Sequence, residues 1–314
     1  MNPYRGLLKA SGTVFLLTLI LSSPLSHALQ LPTQDAAKPS SHILQPEEAT
    51  ADLKQFVRLK LDEKKRPIAM QVAVVRMVPR DQHLPLQYVD LISAVHIGEH
   101  AYYQTINALF PHYDAVLYEL VAPEGTRIPK GGGKGRKGII SGLQSWMRDV
   151  LGMGMQLEDV DYSAPNLVHA DLSPEDFSQS MEKRNESVAG MMGKAWIAGM
   201  GQQYSSKAIL SEVRLLRSLL SGNRDLALKI FMAEQMVQSI RLGKAVEGSE
   251  GSTLVAERNK KALKILRREM ADGKQKLAIF YGAAHMPDMA RRLVSELDMV
   301  PAWTGWIDAW DLQK

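Results

Sequence analysis

The chain has 314 residues, a formal net charge of +4 and no cysteine. The lack of cysteine excludes disulfides, thiolate metal sites, cysteine nucleophiles and a lipidated cysteine anchor. The balance of 38 Lys and Arg against 34 Asp and Glu is too even to imply a nucleic-acid partner.

The first stretch has the three-part pattern of a secretory signal. Arg5 and Lys9 make a basic start, Thr13 to Leu21 an apolar core, and Ser26-His27-Ala28 a small-residue cleavage site. The apolar core is much shorter than the roughly 20 residues that span a bilayer. The expectation is a signal peptide over 1–28, removed on export to the periplasm or exterior, with no stable membrane anchor left afterwards. Loss of Arg5 and Lys9 takes the net charge to +2. Residues 29–50, rich in Pro, Ser, Ala and Gln, read as a flexible leader. The remainder, 51–314, is long enough to bury a large core as one domain.

Met70 to Met77 and Leu86 to Val95 read as strands, and Pro79-Arg80-Asp81-Gln82-His83 between them as a turn, so a hairpin is expected. Glu99 to Phe110 carries Tyr102, Tyr103, Ile106, Leu109 and Phe110 at helical spacing. Asp114 to Val121 is the next strand. A strand, a helix and a strand in that order predict a parallel crossover.

The glycine-rich run Gly131 to Gly138 holds Lys134, Arg136 and Lys137. It contains a formal G-x-G-x-x-G, but no strand leads into it and no Gly-Lys-Ser/Thr follows, so it reads as a basic loop. Ser173-Pro174-Glu175-Asp176 is a helix start, with a capping serine, proline at the first position and an acidic first turn. A helical insertion is expected over about 174–250. Its core candidates are Met191, Met192, Met200, Leu215, Leu216, Leu219, Leu220, Ile230 and Met236, the methionines as packing and not as ligands.

Thr253 to Ala271 predicts one helix with the stripe Val255, Ala262, Leu263, Leu266 and Met270. Continued backward, the stripe meets Asn259, with Arg258 beside it. A polar pair on a buried helix side needs partners, either a core carboxylate or a substrate. A strand over Leu277 to Ala284, a helix over Pro287 to Leu297 and a closing strand or ribbon marked by Trp303, Trp306 and Trp310 complete the chain.

Three of the apolar runs end in an ionisable residue: Tyr88 to Val95 in His96, Ala115 to Tyr118 in Glu119, and Leu277 to Ala284 in His285. Near-continuous apolar runs mark buried parallel strands, and ligands sit outside the carboxyl ends of such strands. The fold class expected is therefore α/β: a mixed, largely parallel sheet flanked by helices, with the helical insertion in mid-chain. Other chemistries find less support. No G-x-S-x-G and no H-E-x-x-H occurs. His96-Ile97-Gly98-Glu99-His100 spells the inverted zinc motif, but His96 terminates a strand, which places His100 in an exposed first helical turn.

Ser93-x-x-His96, Tyr118-Glu119-Leu120, Glu257-Arg258-Asn259 and Gly282-x-x-His285 come in that order. The ordered set resembles the TraB/Tiki superfamily (TraB/GumN type), related to the erythromycin esterases and the ChaN-type haem-binding proteins. The resemblance covers roughly Leu86 to Leu297, including the segment Val168-His169-Ala170-Asp171. Ser93 departs from it by standing where the family has glycine. Its pattern falls on His96, Glu119, Arg258, Asn259 and His285. It implies a hydrolase of peptidase or esterase type acting on a small-molecule or peptide substrate. In one version His96, Glu119 and His285 hold a divalent metal (Zn, Mn or Co), Arg258 stabilises the oxyanion and Asn259 orients substrate. In a metal-free version one histidine, tuned by Glu119, is the general base. The other classes are a haem- or metal-binding periplasmic protein and a regulatory protein that binds a peptide without turnover.

Overall fold

A computed structural model describes residues 53, 55–126, 128, 153–186, 224–246 (backbone alone for 241–246) and 252–313. All belong to the unit Pro32–Lys314. The expected signal, the leader, the glycine-rich basic loop and the expected core residues Met191, Met192, Met200, Leu215, Leu216, Leu219 and Leu220 of the helical insertion lie outside the described residues.

The main sheet is organised around β2 (Pro67–Pro79), an apolar run of 13 residues. β9 (Met299–Asp311) pairs with it antiparallel from Ala69 to Pro79. Both β1 (Val57–Leu61) and β3 (Tyr88–Ala94) pair with successive parts of it, also antiparallel. β2 and β3 thus form the expected hairpin. From β3 the sheet continues in parallel through β8 (Lys276–Gly282) and β5 (Ala115–Tyr118) to β7 (Leu167–His169). Since β1 and β9 oppose β2, as β3 does, β2 alone runs against the other strands of this 7-stranded sheet. A short second sheet pairs β4 (Ile97–Gly98) with β6 (Gly154–Met155).

The helices are α1 (His100–Leu109), α2 (Gln156–Asp159), α3 (Pro174–Lys183), α4 (Arg224–Val246), α5 (Arg258–Ala271) and α6 (Met286–Leu297). The α/β class is therefore as expected. β3 and β5 are parallel, but they are not neighbours: β8, from the last quarter of the chain, lies between them. Ser173 caps α3 by accepting from Asp176 N at 3.0 Å, as its sequence predicts.

One face of the sheet presents Val75, Leu91, Leu117 and Ile279 to Leu263 and Leu266 of α5 and to Met289 and Leu293 of α6. On the other face the Phe110 ring meets Phe280 edge-on at 5.4 Å. Each fully buried side chain of this kind contributes about 1.5–3 kcal/mol, which lets a chain without disulfides hold its shape. In α4 the core differs from expectation. Ile230 and Met236 are half-buried, and the buried stripe at i, i+4, i+8 is Lys229, Ala233 and Val237. Lys229 is tolerated there because its Nζ donates to Glu99 Oε1 at 2.6 Å. None of the described helices is long and apolar enough to cross a membrane.

At the hairpin, Arg76 and Asp90 are direct register partners. The guanidinium forks onto the carboxylate at 2.9 and 2.8 Å, and Tyr113 Oη donates to the same group at 2.8 Å. Replacing one partner of a buried pair strands the other. Asp90→Ala is expected to cost about 3–5 kcal/mol, read as a lower urea midpoint with an unchanged slope.

Candidate active site at the carboxyl edge of the sheet

Side chains alternate across a strand, so Ala115 and Leu117, both in the core under α5 and α6, predict the same side for Glu119 just beyond β5. Glu119 accepts the backbone N–H of Gly282 on Oε2 at 2.7 Å and Arg258 Nη2 on Oε1 at 2.8 Å. The first contact explains the glycine of the G-x-x-H motif. A Cβ at 282 would stand 3.1 Å from Glu119 Oε2.

Arg258 is delivered by an irregular helix start. The sequence predicts one helix from Thr253, but residues Thr253–Glu257 form a π-helical turn before α5. The wider turn buries Thr253 and Ala256 and leaves Val255, a predicted stripe residue, half-buried. Such turns recur at functional sites because they re-aim a side chain without breaking the helix. This one is fastened from α3 and the turn that follows it: Thr253 N donates to Glu186 Oε2 at 2.9 Å, and the Ser180 and Thr253 hydroxyls meet at 3.0 Å.

The guanidinium then reaches a residue that the sequence reading did not assign. Arg258 Nε donates to Asp171 Oδ1 at 2.9 Å and Nη2 to Asp171 Oδ2 at 2.5 Å, a bidentate pair. Asp171 ends the run Leu167 to Ala170 just beyond β7. It obeys the strand-end rule that selects His96, Glu119 and His285, and that rule was the signal available for it.

His285 is 5% exposed. Its Nδ1 lies 2.7 Å from Asn259 Oδ1, and the Tyr281 ring packs against it edge-on. The amide of Asn259 has no freedom in this pairing. Its Nδ2 donates to two acceptors, the His285 carbonyl oxygen at 3.1 Å and Asp288 Oδ2 at 2.8 Å. Its oxygen must therefore face the ring, and His285 Nδ1 must carry the proton. The Nε2 lone pair is left facing Arg258 Nη1 at 3.4 Å and Glu119 Oε1 at 3.6 Å. Asn259 is wholly buried, so the expected role of orienting substrate gives way to orienting His285.

Burial lowers the His285 pKa below its usual 6.5 and outweighs the opposing pull of Glu119, so the ring is neutral at pH 7. Burial acts against ionisation of Glu119 too. There His285, Arg258, His96 and the Gly282 amide prevail and hold the carboxyl at about 2.

His96 is the exposed member. Its Nδ1 meets Gln156 Oε1 at 3.0 Å, and it lies within electrostatic reach of both Glu119 and His285. Among the described residues no hydrogen bond joins it to the other four. His100, at the exposed start of α1, pairs with Asp159 at 3.0 Å and belongs to no helical zinc motif. Ser93 sits opposite Tyr281 in the sheet, buried, and its Oγ has no hydrogen-bond partner.

The residues expected to hold a metal do not fit one as arranged. Glu119 gives one oxygen to an arginine and the other to an amide, and the lone pair of His285 faces the same arginine. Among the described residues, no group of three or more His, Asp or Glu side chains is disposed around a common point for an ion. A guanidinium supplies the positive charge instead. Haem ligation through His285 meets the same obstacle.

Fold and site together define an α/β protein with a buried His–Glu–Arg–Asp cluster at the carboxyl edge of a mostly parallel sheet. Comparison of the chain with protein-family models, curated proteins and solved structures finds no match.

The cluster predicts two stability effects. Gly282→Ala must push the Glu119 carboxylate aside, at about 1–3 kcal/mol. The second effect depends on pH. The folded-state pKa of Glu119 is depressed, so its contribution is complete above the ordinary 4.5 and fades as pH falls toward 2. The stability gap between the wild type and Glu119→Gln, from urea midpoints, is expected to narrow across that window.

Proposed function

We propose that this chain is an exported hydrolase of TraB/Tiki type that cleaves an acyl bond in a peptide or a small ester, with His285 as general base. One observation carries the reading: a neutral, buried imidazole whose tautomer is fixed, its lone pair aimed between a carboxylate and a guanidinium where a sheet edge gathers ligands.

The water that attacks the acyl carbon gives its proton to His285 Nε2. The imidazolium so formed has Glu119 Oε1 3.6 Å away and donates to it, which stabilises the charge in a site of low dielectric. Arg258 spends Nε and Nη2 on carboxylates. Among the described residues its Nη1 has only long contacts, 3.4 Å to His285 and 3.5 Å to the Leu254 carbonyl oxygen, so Nη1 is the donor that turns to a developing oxyanion. His96, exposed and within electrostatic reach, protonates the leaving group. The side chains of His285 and Glu119 keep 7% and 9% of their surface exposed.

A second reading is a binding protein that turns nothing over. The pairing of Arg258 with two carboxylates favours it, because a charge-balanced cluster can serve packing alone.

A panel of peptides and esters with the mature protein separates the two. The hydrolase reading expects His285→Ala and His96→Ala each to lower kcat by roughly 10²–10⁴-fold with circular dichroism unchanged. Full activity in either variant overturns it. The acidic limb of the pH–rate profile is expected to lie below pH 6.5, because the base works unprotonated and its pKa is lowered. Chelation by EDTA is expected to leave the rate unchanged.

A further inference from the structure

The groups that fix His285 continue beyond Asn259. Asp288, in the first turn of α6, is 8% exposed. Its Oδ2 accepts both Asn259 Nδ2 at 2.8 Å and Arg292 Nε at 2.7 Å, and its Oδ1 accepts Arg291 Nη2. A carboxylate can only accept hydrogen bonds. It therefore draws the amide nitrogen of Asn259 toward α6 and leaves the amide oxygen against the ring of His285. If the amide turned over, its nitrogen would face His285 Nδ1. That nitrogen would have to accept, and the ring proton would move to Nε2. The lone pair that the chemistry needs would then be lost from the open side.

We propose that Asp288 is a positioning residue that, acting through Asn259, selects which ring nitrogen of His285 carries the proton. Arg292 is part of the device: it competes for the acceptor on which Asn259 is anchored. The proposal deepens the functional reading and rests on it for its kinetic consequence, but the tautomer itself is a property of the resting protein.

Two substitutions separate this role from simple packing. Asp288→Asn can keep an oxygen between Asn259 and Arg292 by turning its own nitrogen toward Arg291, whose side chain is 66% exposed and free to move. Asp288→Leu offers no acceptor. Arg292 Nε is then left without a partner on that side, and the Asn259 oxygen swings to meet it.

The test is a long-range proton–nitrogen correlation spectrum of the full chain labelled with ¹⁵N-histidine. It is recorded at about pH 8, with His285 assigned by its absence in His285→Ala. The wild type and Asp288→Asn are expected to show a protonated Nδ1 and a bare Nε2. Asp288→Leu is expected to add a species with protonated Nε2. With substrate, Asp288→Leu should lower kcat on the order of 10²-fold or more with KM unmoved, while Asp288→Asn stays within a few-fold of the wild type. A protonated Nε2 in the wild type overturns the proposal, whether or not any variant folds. So does an Asp288→Leu spectrum identical to that of the wild type. Because the spectra need no turnover, a wild type that hydrolyses nothing removes the functional reading and leaves the tautomer result to stand or fall alone.

Discussion

Everything at the carboxyl edge depends on one buried guanidinium. Arg258 joins Asp171 beyond β7 to Glu119 beyond β5, and it does so from the first residue of α5. Without that cation, two carboxylates would face each other with little water, an arrangement that neither could sustain ionised. With it, Glu119 is held as an anion, and its second oxygen is free to grip the Gly282 amide. The C-terminal ends of β5, β7 and β8 and the start of α5 are thereby fastened at one point. Burying these charges is costly, and the geometry of the bidentate pair is what offsets that cost. The buried pair Arg76–Asp90 works on the same principle at the hairpin, where Tyr113 Oη donates to the carboxylate and the guanidinium stacks on the Tyr88 ring.

The consequence for chemistry is a division of labour. Arg258 and Glu119 are locked in their charged forms, so neither can exchange a proton near neutrality. His285 is the member whose protonation lies within reach, and its neighbours decide both its charge and its tautomer. A metal would supply a comparable positive charge, but here that position is held by a side chain. The role left for His96, across the edge and open to solvent, follows from its exposure more than from any contact.

Much of the fold was legible because β2, β3, β5 and β8 are near-continuous apolar runs, which only a sheet covered on both faces can use. The hairpin, the capped start of α3 and the tryptophan-marked closing strand were readable for similar local reasons. The strand order was not. Nothing in the residues from 88 to 118 says that β8 will enter between β3 and β5, because long-range pairing leaves no mark on either sequence. The site was legible where a stripe or a run broke its own pattern: Asn259 on an apolar helix face, Glu119 and His285 at strand ends. Asp171 obeys the same rule, but its strand is only three residues long and half-buried, which makes a weaker signal. The π-helical turn is not legible because periodicity assumes 3.6 residues per turn, and the turn is held by Ser180 of α3 and by Glu186 just beyond that helix. In α4 the stripe was misread because Lys229 is buried by an ion pair with Glu99, a partner far away in the chain.

Arg258 and Glu119 act as one unit within the fold. A double-mutant cycle with Glu119→Gln and Arg258→Met, read from urea unfolding near neutral pH, measures it directly. A coupling on the order of 2 kcal/mol or more is the predicted result. Additivity to within about 0.5 kcal/mol would contradict the account, because it would mean that the two groups lie side by side without depending on each other.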